Sequence, residues 1–218
     1  MDLAHAVYEP EGDGPFPTLY ALHGWGSNAI DLINLAPHLL GGSLLVIAPD
    51  GPLRFPIGEG VYGRGWFPIA GEGPLDREGF LAGRATLEAF LADANERYQV
   101  DPARALVLGF SQGGVMAYDL ALREPERYAG LIALSSWLPQ ELAELYESSP
   151  GHGLLPTLVQ HGSQDPMIPV ERAEASVRRL RALGLPVTYG DYEMGHAISP
   201  ESLRDLNRWL QETLQRGQ

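Results

Sequence analysis

Ser111 stands in Gly109-Phe110-Ser111-Gln112-Gly113-Gly114, which fits the pattern Gly-x-Ser-x-Gly. Such a pattern places a serine on a sharp strand-to-helix turn, where its hydroxyl is exposed for nucleophilic attack. The flanking glycines are required because that turn leaves no room for a Cβ beside it. The pattern is weak when it stands alone, and an ordinary glycine-rich turn entering a helix explains it equally well. Context strengthens the catalytic reading, since the apolar run Ala105–Phe110 precedes the serine and the helix-compatible Val115–Arg123 follows. A dinucleotide-binding loop is the other rival, but the Gly-x-Gly-x-x-Gly spacing is absent.

A serine nucleophile needs a base and a group that orients the base. Of the six histidines only His152, His161 and His196 follow Ser111. His196 lies in Glu193-Met194-Gly195-His196, between the run Val187–Tyr192 and a final helix, and is the candidate base. Asp165 is the candidate acid, in His161-Gly162-Ser163-Gln164-Asp165-Pro166, four residues beyond a strand end. An aspartate before proline is also a common turn residue, and Asp191, inside a strand, is the alternative. Two backbone N–H groups aimed at one point would stabilise a developing oxyanion. Gln112, directly after the nucleophile, supplies one candidate. Trp25, in His23-Gly24-Trp25-Gly26-Ser27-Asn28, supplies the other. His23 and His161 read as strand-end histidines that hydrogen-bond loop backbone.

Trp66, Phe67, Trp137, Met167 and Ile168 are candidate pocket walls, with plain packing as the competing explanation. Arg64 could meet a substrate carboxylate, although a solvated loop charge fits it better. No metal site is expected: His-Glu-x-x-His is absent and the histidines and aspartates lack close ligand spacing. The reaction implied by these groups needs no cofactor.

The elements that must position these residues read as alternating strands and helices. Short apolar runs occur at Thr18–His23, Leu44–Ala48, Ala105–Phe110, Gly130–Ser135, Thr157–His161 and Val187–Tyr192. Rich in Leu, Val and Ile and mostly without alternation, they read as buried parallel strands. Phe80, Leu87, Leu91, Ala94 and Tyr98 recur at helical spacing, as do Ala173, Val177 and Leu180, and again Leu203, Leu206, Leu210 and Leu214. Ser199 followed by Pro200 marks the start of the last helix. Leu3–Tyr8 is expected as an antiparallel edge strand. Asp50–Pro74 and Ser136–Pro156 are expected as long loops. The fold class is α/β, a mostly parallel sheet covered by helices on both faces. No linker divides residues 1–218, which are expected to form one domain of the usual size.

Composition narrows the chemistry further. The net charge is −13, and every one of the 15 basic residues is Arg. That field repels nucleic-acid phosphates and anionic lipid, so neither is an expected partner. Without Cys there is no thiol nucleophile and no disulfide; without Lys there is no Schiff base. No run reaches the roughly 18 apolar residues of a membrane span, and Met1–Pro10 lacks signal-peptide features. The expected location is cytoplasmic, with a small acyl ester as partner. Oligomeric state is not legible in these features.

Taken together and in this order, the four segments resemble the phospholipase/carboxylesterase family of the α/β-hydrolase superfamily, the branch that holds bacterial carboxylesterases and acyl-protein thioesterases. The likeness runs from about Leu19 to Ile198, and Trp66-Phe67 resembles that family's Trp-Phe segment over the active site. The resemblance implies a cap-free hydrolase with the triad Ser111, Asp165 and His196 and an oxyanion hole of Trp25 and Gln112. It implies serine carboxylesterase activity on carboxylic esters, and in some members on thioesters or lysophospholipids. A peptidase or lactone hydrolase with the same triad, or a non-catalytic ligand-binding homologue, are the alternatives. Trp25 departs from the Leu common in the family and is expected to narrow the acyl site. Ser136–Pro156 is too short for a lid, so an open groove is expected.

Overall fold

The computed structural model describes residues 3–69, 75–146 and 151–216. Residues 70–74, the end of the expected loop Asp50–Pro74, and 147–150, inside the expected loop Ser136–Pro156, lie outside the described residues. In chain order the strands are β1 (His5–Tyr8), β2 (Phe16–Leu22), β3 (Leu45–Pro49), β4 (Leu53–Gly58), β5 (Val61–Gly65), β6 (Val100–Phe110), β7 (Gly130–Leu134), β8 (Thr157–Gly162) and β9 (Val187–Tyr192). The helices are α1 (Ala29–Ile33), α2 (Arg77–Arg97), α3 (Gln112–Arg123), α4 (Gln140–Leu145), α5 (Val170–Ala182) and α6 (Pro200–Arg216).

Seven strands form one sheet in the order β1-β3-β2-β6-β7-β8-β9. β1 is the expected antiparallel edge, His5 pairing with Pro49, and every other neighbour runs parallel. The carboxyl ends of β2 and β6 therefore meet side by side, Leu22 opposite Gly109. The chain moves from β2 to β3 on one side and later returns to β6 on the other. A reversal of that kind opens a crevice at the strand ends, where ligands bind in open parallel sheets.

Both sheet faces are buried, which is why the strand sequences carry runs of apolar residues instead of alternation. Successive residues on one strand serve opposite cores. Tyr20 and Leu22 pack into the core with Phe80, Leu87 and Leu91 of α2, and Leu19 and Ala21 pack into the core with Leu206, Leu210 and Leu214 of α6. The start of α6 follows its cap: Ser202 N–H donates to Ser199 Oγ (3.1 Å) and Ser199 N–H to Ser202 Oγ (3.0 Å). This reciprocal pair satisfies two backbone donors, as a capping box does.

Three expectations need correction. Asp50–Pro74 is not wholly loop, because β4 and β5 pair there as an antiparallel hairpin. Pro56, Gly58, Gly63 and Gly65 hide strand character in sequence, but the ribbon tolerates them because, among the described residues, β4 pairs with no second strand and β5 is bonded on its outer side only through Arg64. Ser136–Pro156 contains the short helix α4. Val187–Tyr192 is a strand but not a buried one; it is the sheet edge, and only Tyr192 is buried. Among the described residues no helix is long and apolar enough to cross a membrane.

Candidate active site

β6 ends at Phe110 and α3 begins at Gln112, so the whole reversal falls on Ser111, at φ 53° and ψ −119°. A non-glycine residue held there costs about 1–3 kcal/mol and persists only where its surroundings enforce it. Here they do. Ser111 N–H donates to Leu134 O (2.9 Å), and its carbonyl accepts from Ser136 Oγ (2.7 Å) and Gly114 N–H (2.9 Å). A Cβ on Gly109 would lie 2.2 Å from Gly113 O, and one on Gly113 would lie 2.0 Å from Leu22 O. The glycines let strand, turn and helix close on one another. Gly113→Ala is therefore expected to lower stability by about 1–3 kcal/mol through overpacking, read as a fall in the urea midpoint. Ser111 Oγ makes no hydrogen bond among the described residues and borders an open groove.

Asp165 lies in the turn between β8 and α5. Its Oδ1 accepts the N–H groups of Met167 (2.8 Å) and Ile168 (2.9 Å), which hold the carboxylate in one orientation. Its Oδ2 faces His196 Nδ1 at 2.7 Å. Burial pushes the Asp165 pKa up, but the Ile168 N–H, the His196 contact and the Met167 N–H together hold it below its ordinary value. A carboxylate accepts only, so His196 Nδ1 is the donor, and in the neutral ring this tautomer places the lone pair on Nε2. His196, between β9 and α6, lies with its ring 4.9 Å from that of Phe110 and borders the same groove as Ser111. The two side chains are not hydrogen-bonded, as is common before substrate draws such a pair together. Asp191 is exposed on β9 and does not border the groove.

The two strand-end histidines bond loop backbone, as their positions suggest. His23 donates from Nδ1 to Gly24 O (2.7 Å) and accepts Gly51 N–H at Nε2 (2.8 Å). Burial dominates its environment and lowers its pKa, against the raising effect of the Gly24 carbonyl. His161 Nε2 bonds Ile168 O (2.8 Å) and also lies 3.5 Å from Asp165 Oδ2. That second contact gives Asp165 two imidazole neighbours, which no spacing in the sequence signals.

Trp25 N–H and Gln112 N–H, the latter at the first position of α3, have no hydrogen-bond acceptor among the described residues. Both residues border the groove beside Ser111. The groove is open, encloses ≈1260 Å³, and has Phe67, Trp137, Met167 and Ile168 in its walls. Arg172 lies over the Trp137 ring, 4.5 Å from its centroid. Trp66 is a correction. It is completely buried beneath the groove and does not line it, because its indole Nε1–H reaches inward to His23 O (2.8 Å). Arg64 does not border the groove; it pairs with Asp50 (3.2 Å). Phe110, Ile57 and Leu75 also line the groove. Phe110 could have been suspected from its place beside Ser111, whereas nothing in the sequence context of Ile57 or Leu75 distinguishes them from other apolar residues.

Comparison with known proteins agrees with this architecture. A family model described as Phospholipase/Carboxylesterase matches residues 4–214. The chain is 34% identical over 116 residues to acyl-protein thioesterase 1 of Gibberella zeae, covering 52% of this chain and spanning about half of the relative (49%). It is 27% identical over 226 aligned positions to acyl-protein thioesterase 1 of Mycosarcoma maydis, 93% of each chain. The crystal structure of esterase PE8 superposes with a TM-score of 0.82 at 28% identity, over 98% of this chain and 100% of that one.

Proposed function

Since the chain belongs to the phospholipase/carboxylesterase family and has the α/β-hydrolase fold, we propose that it is a serine hydrolase of carboxylic esters or thioesters. Ser111, His196 and Asp165 act as its triad, and residues 1–218 as its single domain. The observation that carries this reading is the 2.7 Å contact of His196 Nδ1 with Asp165 Oδ2 at a groove that also holds Ser111 on its strained turn.

In the proposed reaction His196 Nε2 takes the Ser111 proton as Oγ attacks the acyl carbonyl. Asp165 keeps the imidazole in the Nδ1–H tautomer and stabilises the imidazolium. Its depressed pKa keeps it ionised throughout the neutral range. The N–H groups of Trp25 and Gln112 stabilise the tetrahedral oxyanion. Collapse transfers the His196 proton to the departing alcohol or thiol and leaves an acyl-Ser111 ester. Water, deprotonated by His196, then releases the carboxylic acid and restores the serine.

The groove is open and partly apolar, which supports acyl substrates of small or moderate size reached directly from solvent. Hydrolysis of a 4-nitrophenyl ester series from acetate to palmitate, beside Ser111→Ala, tests the reading. Turnover abolished by the substitution is expected, with the optimum chain length reporting the length of the acyl site. A folded protein that cleaves none of these esters or the matching thioesters would overturn it.

A further inference from the structure

The two backbone donors of the proposed oxyanion hole come from loops far apart in sequence, one after β2 and one after β6. Their spacing decides whether both reach one oxygen. Four consecutive residues at the end of the β4–β5 hairpin touch both loops. On the β2 side, Gly26 N–H donates to Arg64 O (2.8 Å) and Arg64 N–H to Ser27 O (2.9 Å), so the hairpin extends a short backbone ladder onto the residues flanking Trp25. The Trp25 ring stacks on Phe55 at 4.0 Å between centroids and lies over Gly65, where a Cβ would fall 2.5 Å from Trp25 Cε3. Trp66 Nε1–H anchors the same loop one step earlier, at His23 O (2.8 Å).

On the β6 side the contact is made by the Gln112 side chain. Its Oε1 accepts Trp66 N–H (2.9 Å) and its Nε2 donates to Phe67 O (2.6 Å). Gln112 and Trp66 are both completely buried, so water does not compete for these bonds. The partners dictate the residue type. One is a donor and the other an acceptor, and a primary amide answers both where a carboxylate cannot.

We propose that residues 64–67 act as a gauge that sets the distance between the Trp25 and Gln112 N–H groups, with the Gln112 carboxamide as the positioning residue that closes it. The role rests on the reading of Ser111 as nucleophile. The Gln112 backbone N–H touches the oxyanion, and its side chain acts only through Trp66 and Phe67. The hairpin is thereby a part of the catalytic geometry and not merely a wall over the groove.

Gln112→Met keeps the backbone N–H and close to the original volume but deletes both side-chain bonds. Gly65→Ala keeps the Gln112 residue and drives a methyl into the Trp25 ring, 2.5 Å from Cε3, with a lesser crowding of Gln112 Oε1 at 3.3 Å. Both are compared with wild type and Ser111→Ala on a 4-nitrophenyl ester. Active sites are titrated with a 4-nitrophenyl alkylphosphonate, whose phosphoryl oxygen needs the same donors. A displacement of about 1 Å costs on the order of 10²-fold. Each variant is therefore expected to lose roughly that factor in kcat per titrated site and in phosphonylation rate, with KM nearly unchanged. A purely structural role would lower the melting temperature and the titratable fraction but leave kcat per titrated site at the wild-type value, and that result overturns the gauge. If Gln112→Met fails to fold, Gly65→Ala decides alone by the same criterion. Wild-type turnover that survives in Ser111→Ala, or wild type that neither turns over nor is phosphonylated, overturns the functional reading itself and the gauge with it.

Discussion

Ser111→Ala is expected to lower kcat by about 10⁴-fold or more while leaving the protein folded. The size of the effect follows from the role proposed for Oγ, since without it no acyl-enzyme forms and only groove binding and the oxyanion donors remain. The intact fold follows from the structure. Ser111 Oγ makes no hydrogen bond among the described residues, and the contacts that hold the turn are made by the Ser111 backbone, to Leu134 O, Ser136 Oγ and Gly114 N–H. Alanine at φ 53° is no more strained than serine, because both carry a Cβ. Thermal melting should therefore show near-wild-type stability, and kinetics on a 4-nitrophenyl ester should show the loss. Substantial residual activity in the folded variant would move the nucleophile elsewhere.

Asp165→Asn carries the second large expectation, a fall in kcat on the order of 10⁴-fold. The argument is geometric. Oδ1 of Asp165 accepts two backbone N–H groups, so the carbonyl oxygen of asparagine must take that side. Its NH₂ then faces His196 Nδ1 and donates to it. The imidazole is left with its proton on Nε2, towards Ser111, where a base needs a lone pair. The same substitution has an acid signature. The folded pKa of Asp165 lies below its ordinary value, so its stabilising contribution is complete above about pH 3.9, the unfolded value. It is lost as pH falls through the folded value, where the unfolded chain binds more protons. Urea titrations below about pH 4 should show a shallower loss of stability in Asp165→Asn than in wild type.

Much of the fold was legible in short windows. The runs at 18–23, 105–110, 130–135 and 157–161 became β2, β6, β7 and β8, with boundaries shifted by a few residues. Ser199-Pro200 marked the start of α6 because capping is a contact between near neighbours. Phe80, Leu87, Leu91 and Ala94 shared a buried helix face, whereas Tyr98 fell just past the end of α2 as its cap. The hairpin was missed. Its Pro and Gly content reads as loop in any local window, and its strands are held by each other and by docking onto residues 26–27.

The site divides along the same line. Gly-x-Ser-x-Gly marked the strand–turn–helix around Ser111 because the close approach of Gly109 to Gly113 lies within the motif, although the demand on Gly113 comes from Leu22 of β2. The chain also settled, through its lack of Cys and Lys, which nucleophiles could exist at all. Only the tertiary structure put Asp165 against His196 and left Asp191 exposed on β9. It also turned Trp66 from a wall into a buried anchor, paired Arg64 with Asp50, and set the Gln112 side chain against residues 66 and 67. The Trp66 and Gln112 contacts tie a side chain to the backbone of a segment far away in sequence. The backbone partners there are a C=O, which every residue type carries, or an N–H, which every type but proline carries, so residue types and spacing cannot say which of them will meet.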